Sequence, residues 1–150
     1  MKFQRNVKAT IAALITASTM ITAAHADVTC PTAADVKGAS KALNTVMRQS
    51  EKNFFVLTAQ PAFNASDLSW LVLTQASANG FDAAYNSGVS DVKAVAMPAM
   101  ETAIEQQGFY ICAYFTANGG MNVMTVAQQQ QGLTFDPSKL KLDKLNIKGK

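Results

Sequence analysis

Histidine is almost missing from this chain: His25 is its one imidazole. It sits beside a cleavage pattern that would remove it, leaving a product with no imidazole. That excludes Ser-His-Asp and Cys-His catalysis and the usual His-based ligation of zinc and haem. Cysteine is scarce as well, only Cys30 and Cys112, with no Cys-x-x-Cys to suggest a redox dithiol or a thiolate metal cage. No Gly-x-Ser-x-Gly marks a hydrolase nucleophile. With no imidazole and no nucleophile motif, the expectation is a protein that is not an enzyme.

Charge is also sparse, at 15% of residues, and unevenly placed. Lys2, Arg5 and Lys8 precede an uncharged run from Ala9 to Ala24, which ends in Ala24-His25-Ala26. A basic start, an apolar middle and a small-x-small end make a secretory signal peptide over residues 1–26. The run is too short and too rich in Thr for a membrane anchor, which needs roughly 20 mostly apolar residues. Asp27-Val28-Thr29 before Cys30 lacks the small residue that lipoprotein processing prefers. Cleavage after Ala26 takes three basic residues with it and leaves ten basic against ten acidic. The precursor's basicity therefore belongs to its leader and argues for no nucleic-acid partner. No stable membrane span is expected after cleavage, and the product is placed in the periplasm or outside the cell.

In such an oxidising compartment, Cys30 and Cys112 are expected to form one structural disulfide. Closing a loop between residues 82 apart contributes about 4 to 5 kcal/mol on a chain-entropy estimate.

The remainder, 49% hydrophobic over the whole chain, suits one packed domain over residues 27–136. Thr32 and Asp35 have capping-box spacing for a short helix ending near Gly38. Leu43–Met47, Asn53–Ala59 and Ser69–Gln75 read as strands, with residues 60–67 as a loop. Asn79–Gly88 reads as a helix with Gly88 as its stop. A second helix is expected within Asp91–Gln107, from Val92, Val95, Met100 and Ile104, restarting at Pro98 and closing at Gly108. Phe109–Thr116 and Met121–Ala127 flank Ala117-Asn118-Gly119-Gly120 as a hairpin. Alternation puts Tyr110, Cys112 and Tyr114 on one face and Phe109, Ile111, Ala113 and Phe115 on the other, as in a central strand covered on both sides. The fold class expected is α+β: an antiparallel sheet of about four to six strands, two or three short helices and one disulfide. Residues 137–150 carry five Lys against one Asp and read as a basic tail or a Lys-blunted edge strand.

Cys30-Pro31 near the start of the product, Trp70 in a central strand and Cys112-Ala113-Tyr114 in a late strand make the chain resemble a family. These are small exported one-disulfide proteins of Gram-negative intracellular pathogens, some called hemin-binding proteins. The resemblance implies hemin as a cofactor or ligand. Without imidazole, an axial donor would be Tyr phenolate or Met thioether. Tyr110 and Tyr114 share a strand face as candidates, or pack as core aromatics around the disulfide. Lys139, Lys141 and Lys144 are candidates for the propionates. Glu101 and Glu105, four apart, read as a solvated helix face. Met97, Met100, Met121 and Met124 are either core filler or thioether donors for copper. The alternative function is a secreted factor that binds a host or envelope protein.

Overall fold

The computed structural model describes residues 27–129 and 135–139. The chain enters along one sheet edge, where Thr29 bridges Thr102 in antiparallel fashion. The Cys30 amide donates to the Glu101 carbonyl at 2.9 Å, and the Ala103 amide donates to the Val28 carbonyl at 2.7 Å. Thr32 then caps helix α1 (Ala33–Gly38) through the expected capping box: its hydroxyl accepts from the Asp35 amide, and the Asp35 carboxylate accepts from the Thr32 amide. A 3₁₀ turn over Ala39–Ala42 passes the chain to the sheet.

Eight strands, among the described residues, form one antiparallel sheet. They are β1 (Thr45–Arg48), β2 (Asn53–Leu57), β3 (Phe63–Ala65), β4 (Leu68–Ser77), β5 (Val95–Pro98), β6 (Ile104–Gln106), β7 (Phe109–Thr116) and β8 (Val123–Gln128). The order is β1-β2-β4-β8-β7-β5, with β3 added to β4 and β6 added to β7. Helix α2 (Phe81–Lys93) carries the chain from central β4 across one face to the far edge at β5. The chain then works back until β8 pairs with β4. The class is broadly α+β, as expected, with two helices and one disulfide but more strands than the four to six read from the sequence.

Alternation along the central strands divides the interior in two. Phe54, Val56, Trp70, Val72, Cys112, Tyr114 and Val123 meet Val36 of α1 and Ala84 and Val92 of α2 on the helical face. Phe55, Leu57, Leu73, Phe109, Ile111, Ala113, Met124 and Val126 form the opposite face, against which Ile104 and Phe135 pack. The two-sided burial of Phe109–Thr116 inferred from its sequence is what the structure contains. Its hairpin with β8 closes where expected. Gly119 holds φ +88°, and the Asn118 side chain accepts from Gly120 N at 3.0 Å and from the Thr116 hydroxyl.

Three expectations are corrected. Gly88 does not stop α2, which runs on to Lys93. The glycine is there because the helix lies tight on β2: an added Cβ would stand 2.7 Å from Val56 Cβ. The second helix expected within Asp91–Gln107 is absent beyond Lys93, and β5 and β6 take its place. Pro98 disfavours helical backbone at Met97. Gln107 (φ 54°) and Gly108 (φ 87°) both have positive φ, the combination that a two-residue type I′ hairpin needs between β6 and β7. Residues 60–67 are not only loop, since Phe63–Ala65 pairs with Leu68–Trp70 around Ser66 (φ 53°) and Asp67 (φ 61°), a second turn of that kind. Among the described residues no helix is long and apolar enough to cross a membrane.

Candidate functional site

Cys30 and Cys112 form the disulfide, with Cα atoms 5.8 Å apart. The bond fastens the incoming segment onto β7. Tyr114, one row along the same face, adds a second tie: its hydroxyl donates to the Pro31 carbonyl at 2.8 Å and lies 3.4 Å from Thr125 Oγ1. These ties, with the edge pairing of Val28–Cys30 to residues 101–103, hold two stretches of chain against each other. Between them lies a cleft of ≈ 610 Å³. Thr29, Cys30, Thr32 and Ala33 line one side; Met97 to Thr102 line the other. The lining is mainly apolar, with Glu101 as its one carboxylate. Its size is that of a small-molecule site.

The far wall owes its shape to two local features. A register shift between Val95 and Met97 breaks the regular pairing of β5 with β7, which turns the strand locally. Pro98 follows, and the Ala99 amide donates to the Ala113 carbonyl at 2.8 Å. Met97 is left 56% exposed, while Met124 on the inner sheet is 4% exposed. Met100 is half-buried and packs against both core clusters.

The residues singled out from the sequence are scattered differently. Tyr114 is wholly buried, and burial pushes its phenol well above the usual tyrosine range, with the Asp35 charge adding and the Thr125 hydrogen bond opposing. It is a core aromatic tied to Pro31, closed to any ligand in this conformation. Tyr110 is half-buried, pairs with Ala127 and Glu105, and packs against the helical-face core. Four residues of strand separate the two tyrosines by roughly 13 Å, so they do not converge. Neither lines the cleft. Glu105 lies in β6 and Glu101 in the cleft wall, so they do not share a helix face. Lys139 is exposed in a 3₁₀ turn (Pro137–Lys139), 3.9 Å from the Asp136 carboxylate, and is not part of the cleft. Lys141 and Lys144, like residues 1–26, for which a signal peptide is expected from the sequence, lie outside the described residues. The disulfide is consistent with an oxidising, exported compartment.

A second surface feature stands across the sheet, at β1. The Arg48 guanidinium lies over the Phe54 ring at 4.9 Å and the Phe81 ring at 5.1 Å. Phe81 is 50% exposed. Sequence reasoning missed this cluster because its members come from β1, β2 and α2. Comparison of the chain with protein-family models, with curated proteins and with solved structures finds no match in any of the three.

Proposed function

We propose that this chain is a small exported, non-enzymatic binding protein that takes its ligand in the cleft beside Cys30–Cys112. The observation that carries the reading is a largely apolar cleft of ≈ 610 Å³ whose two sides are joined by backbone pairing and one of whose sides is fixed to β7 by the disulfide. Such a site is formed before the ligand arrives, so little ordering cost opposes binding. Hemin is the ligand that the resemblance to exported hemin-binding proteins implies. The cleft offers apolar cover and the thioethers of Met97 and Met100, a donor type that haem iron accepts.

The test is a titration of the purified, oxidised protein with hemin, followed in the Soret band. Saturation at one equivalent is expected. Ala33→Glu should abolish it by placing a charge in the cleft, while the first turn of α1 tolerates an acid. Binding that Ala33→Glu leaves unchanged, or that never saturates, rejects the reading.

One observation favours a second reading, a factor that binds a host or envelope protein. Arginine stacked on an exposed aromatic ring is the composition of interface hot spots, and Arg48 over Phe81 has it. Capture of an envelope or host protein that Phe81→Ser removes and Ala33→Glu does not would support it.

A further inference from the structure

We propose that Met97 and Met100 form a thioether site for a soft monovalent cation of the Cu(I) and Ag(I) type, at the cleft. The proposal rests on the cleft being a binding surface, as above, but not on hemin being its ligand.

The structure separates methionines that the sequence leaves equivalent. Met124 is a core residue, 4% exposed between Leu73 and Ala113 in the sheet register. Met47 and Met121 are each 39% exposed and lie away from the cleft lining. Of the five methionines among the described residues, Met97 and Met100 alone line this cleft. At 56% exposure, Met97 contributes little to the core, so gap-filling, the usual role of methionine, does not account for it. The span between them is stiff: Pro98 has a fixed φ, and Ala99 is hydrogen-bonded to β7 at 2.8 Å. Both residues are therefore carried on backbone that needs no reordering when an ion binds.

The donor set decides the ion. Thioether sulfur is soft and selects Cu(I) and its analogue Ag(I) over harder cations. Both cysteines are held in the disulfide, so no thiolate competes for the ion. Among the described residues no three His, Cys, Asp or Glu are grouped to hold a metal, and a zinc site would call for such a group. Glu101 lines the same cleft and supplies negative charge near the bound cation. The ion enters and leaves as the monovalent species, with no electron transfer.

Two measurements on the purified, oxidised protein test this. Anaerobic titration with Cu(I) against a chromophoric chelator should show one equivalent taken from the chelator. Met97→Leu and Met100→Leu should each weaken that binding at least tenfold, and Met121→Leu should leave it unchanged. With ¹³C-methyl methionine, Ag(I) should shift the methyl resonances of Met97 and Met100 together before those of Met47 and Met121. Zn(II) should shift none. Failure to compete for Cu(I), equal shifts at all exposed methionines, or full affinity in either leucine variant would overturn the site. Hemin titration of the unsubstituted protein, alongside its Cu(I) titration, reads the proposed function separately. Hemin binding without Cu(I) binding sinks only the thioether site. Cu(I) binding without hemin binding sinks only the hemin assignment.

Discussion

A methyl group placed on Gly88 would stand 2.7 Å from Val56 Cβ and 2.9 Å from both of its γ carbons. In an exposed helix interior, Gly→Ala gains about 1 kcal/mol from propensity. Here the sign reverses, because α2 must lift from β2 or Val56 must move, and overpacking of this kind costs about 1 to 3 kcal/mol. Gly88→Ala should lower the urea midpoint. In a Val56→Ala background, which removes those γ carbons, the same change should cost less or become favourable. Tyr114 gives a pH-dependent counterpart. Its folded phenol keeps its proton well above the unfolded value of about 10. Above that pH the folded state binds more protons than the unfolded one, so stability is full below about pH 10 and falls as pH rises beyond it. Tyr114→Phe strands the Pro31 carbonyl at a loss of about 1 to 3 kcal/mol near neutrality, and should flatten that alkaline fall. Urea midpoints of both proteins between pH 8 and 11 check this.

The turns at Ser66–Asp67 and Gln107–Gly108 each place a non-glycine residue at positive φ. Gln107 occupies left-handed backbone at a position where Asn before Gly is the preferred pair of a type I′ turn. Gln107→Asn should therefore raise stability by about 0.5 to 1 kcal/mol, read as a higher thermal midpoint with an unchanged circular dichroism spectrum. The same turn explains why β6 escaped detection in the sequence. A strand of three residues shows no alternation, and Gln at positive φ carries no turn signature. Val92, Val95, Met100 and Ile104 fall at roughly helical spacing by coincidence, and only the first lies in α2. By contrast the β7–β8 hairpin was legible, since eight residues of alternation and two glycines point the same way. The capping box of α1 was legible for a similar reason: its two hydrogen bonds join residues three apart. The cleft was not, because its sides come from residues 29–33 and 97–102 and nothing local links them. Methionines at 97 and 100 were visible as donors. Which of the methionines share a surface depended on the sheet.

At the scale of the whole molecule, the disulfide joins the incoming segment to β7 across 82 residues. Reduction should lower the unfolding free energy by about 2 to 5 kcal/mol, measured by denaturation with and without reductant. Native protein should take up no alkylating reagent until reduced, which an intact-mass measurement reads directly. The sheet order has a kinetic consequence too. β1 to β4 pair among themselves and β5 to β8 among themselves, and among the described strands the sheet joins the two sets where β4 pairs with β8. Each set draws on short loops, whereas their junction must close across the whole of α2 and three intervening strands, and such non-local pairing forms late. Trp70 is the only tryptophan, wholly buried, and pairs with Ala127 on that junction. Its fluorescence therefore times the joining of two preformed halves, and during refolding it should lag behind the far-ultraviolet signal that reports the halves themselves.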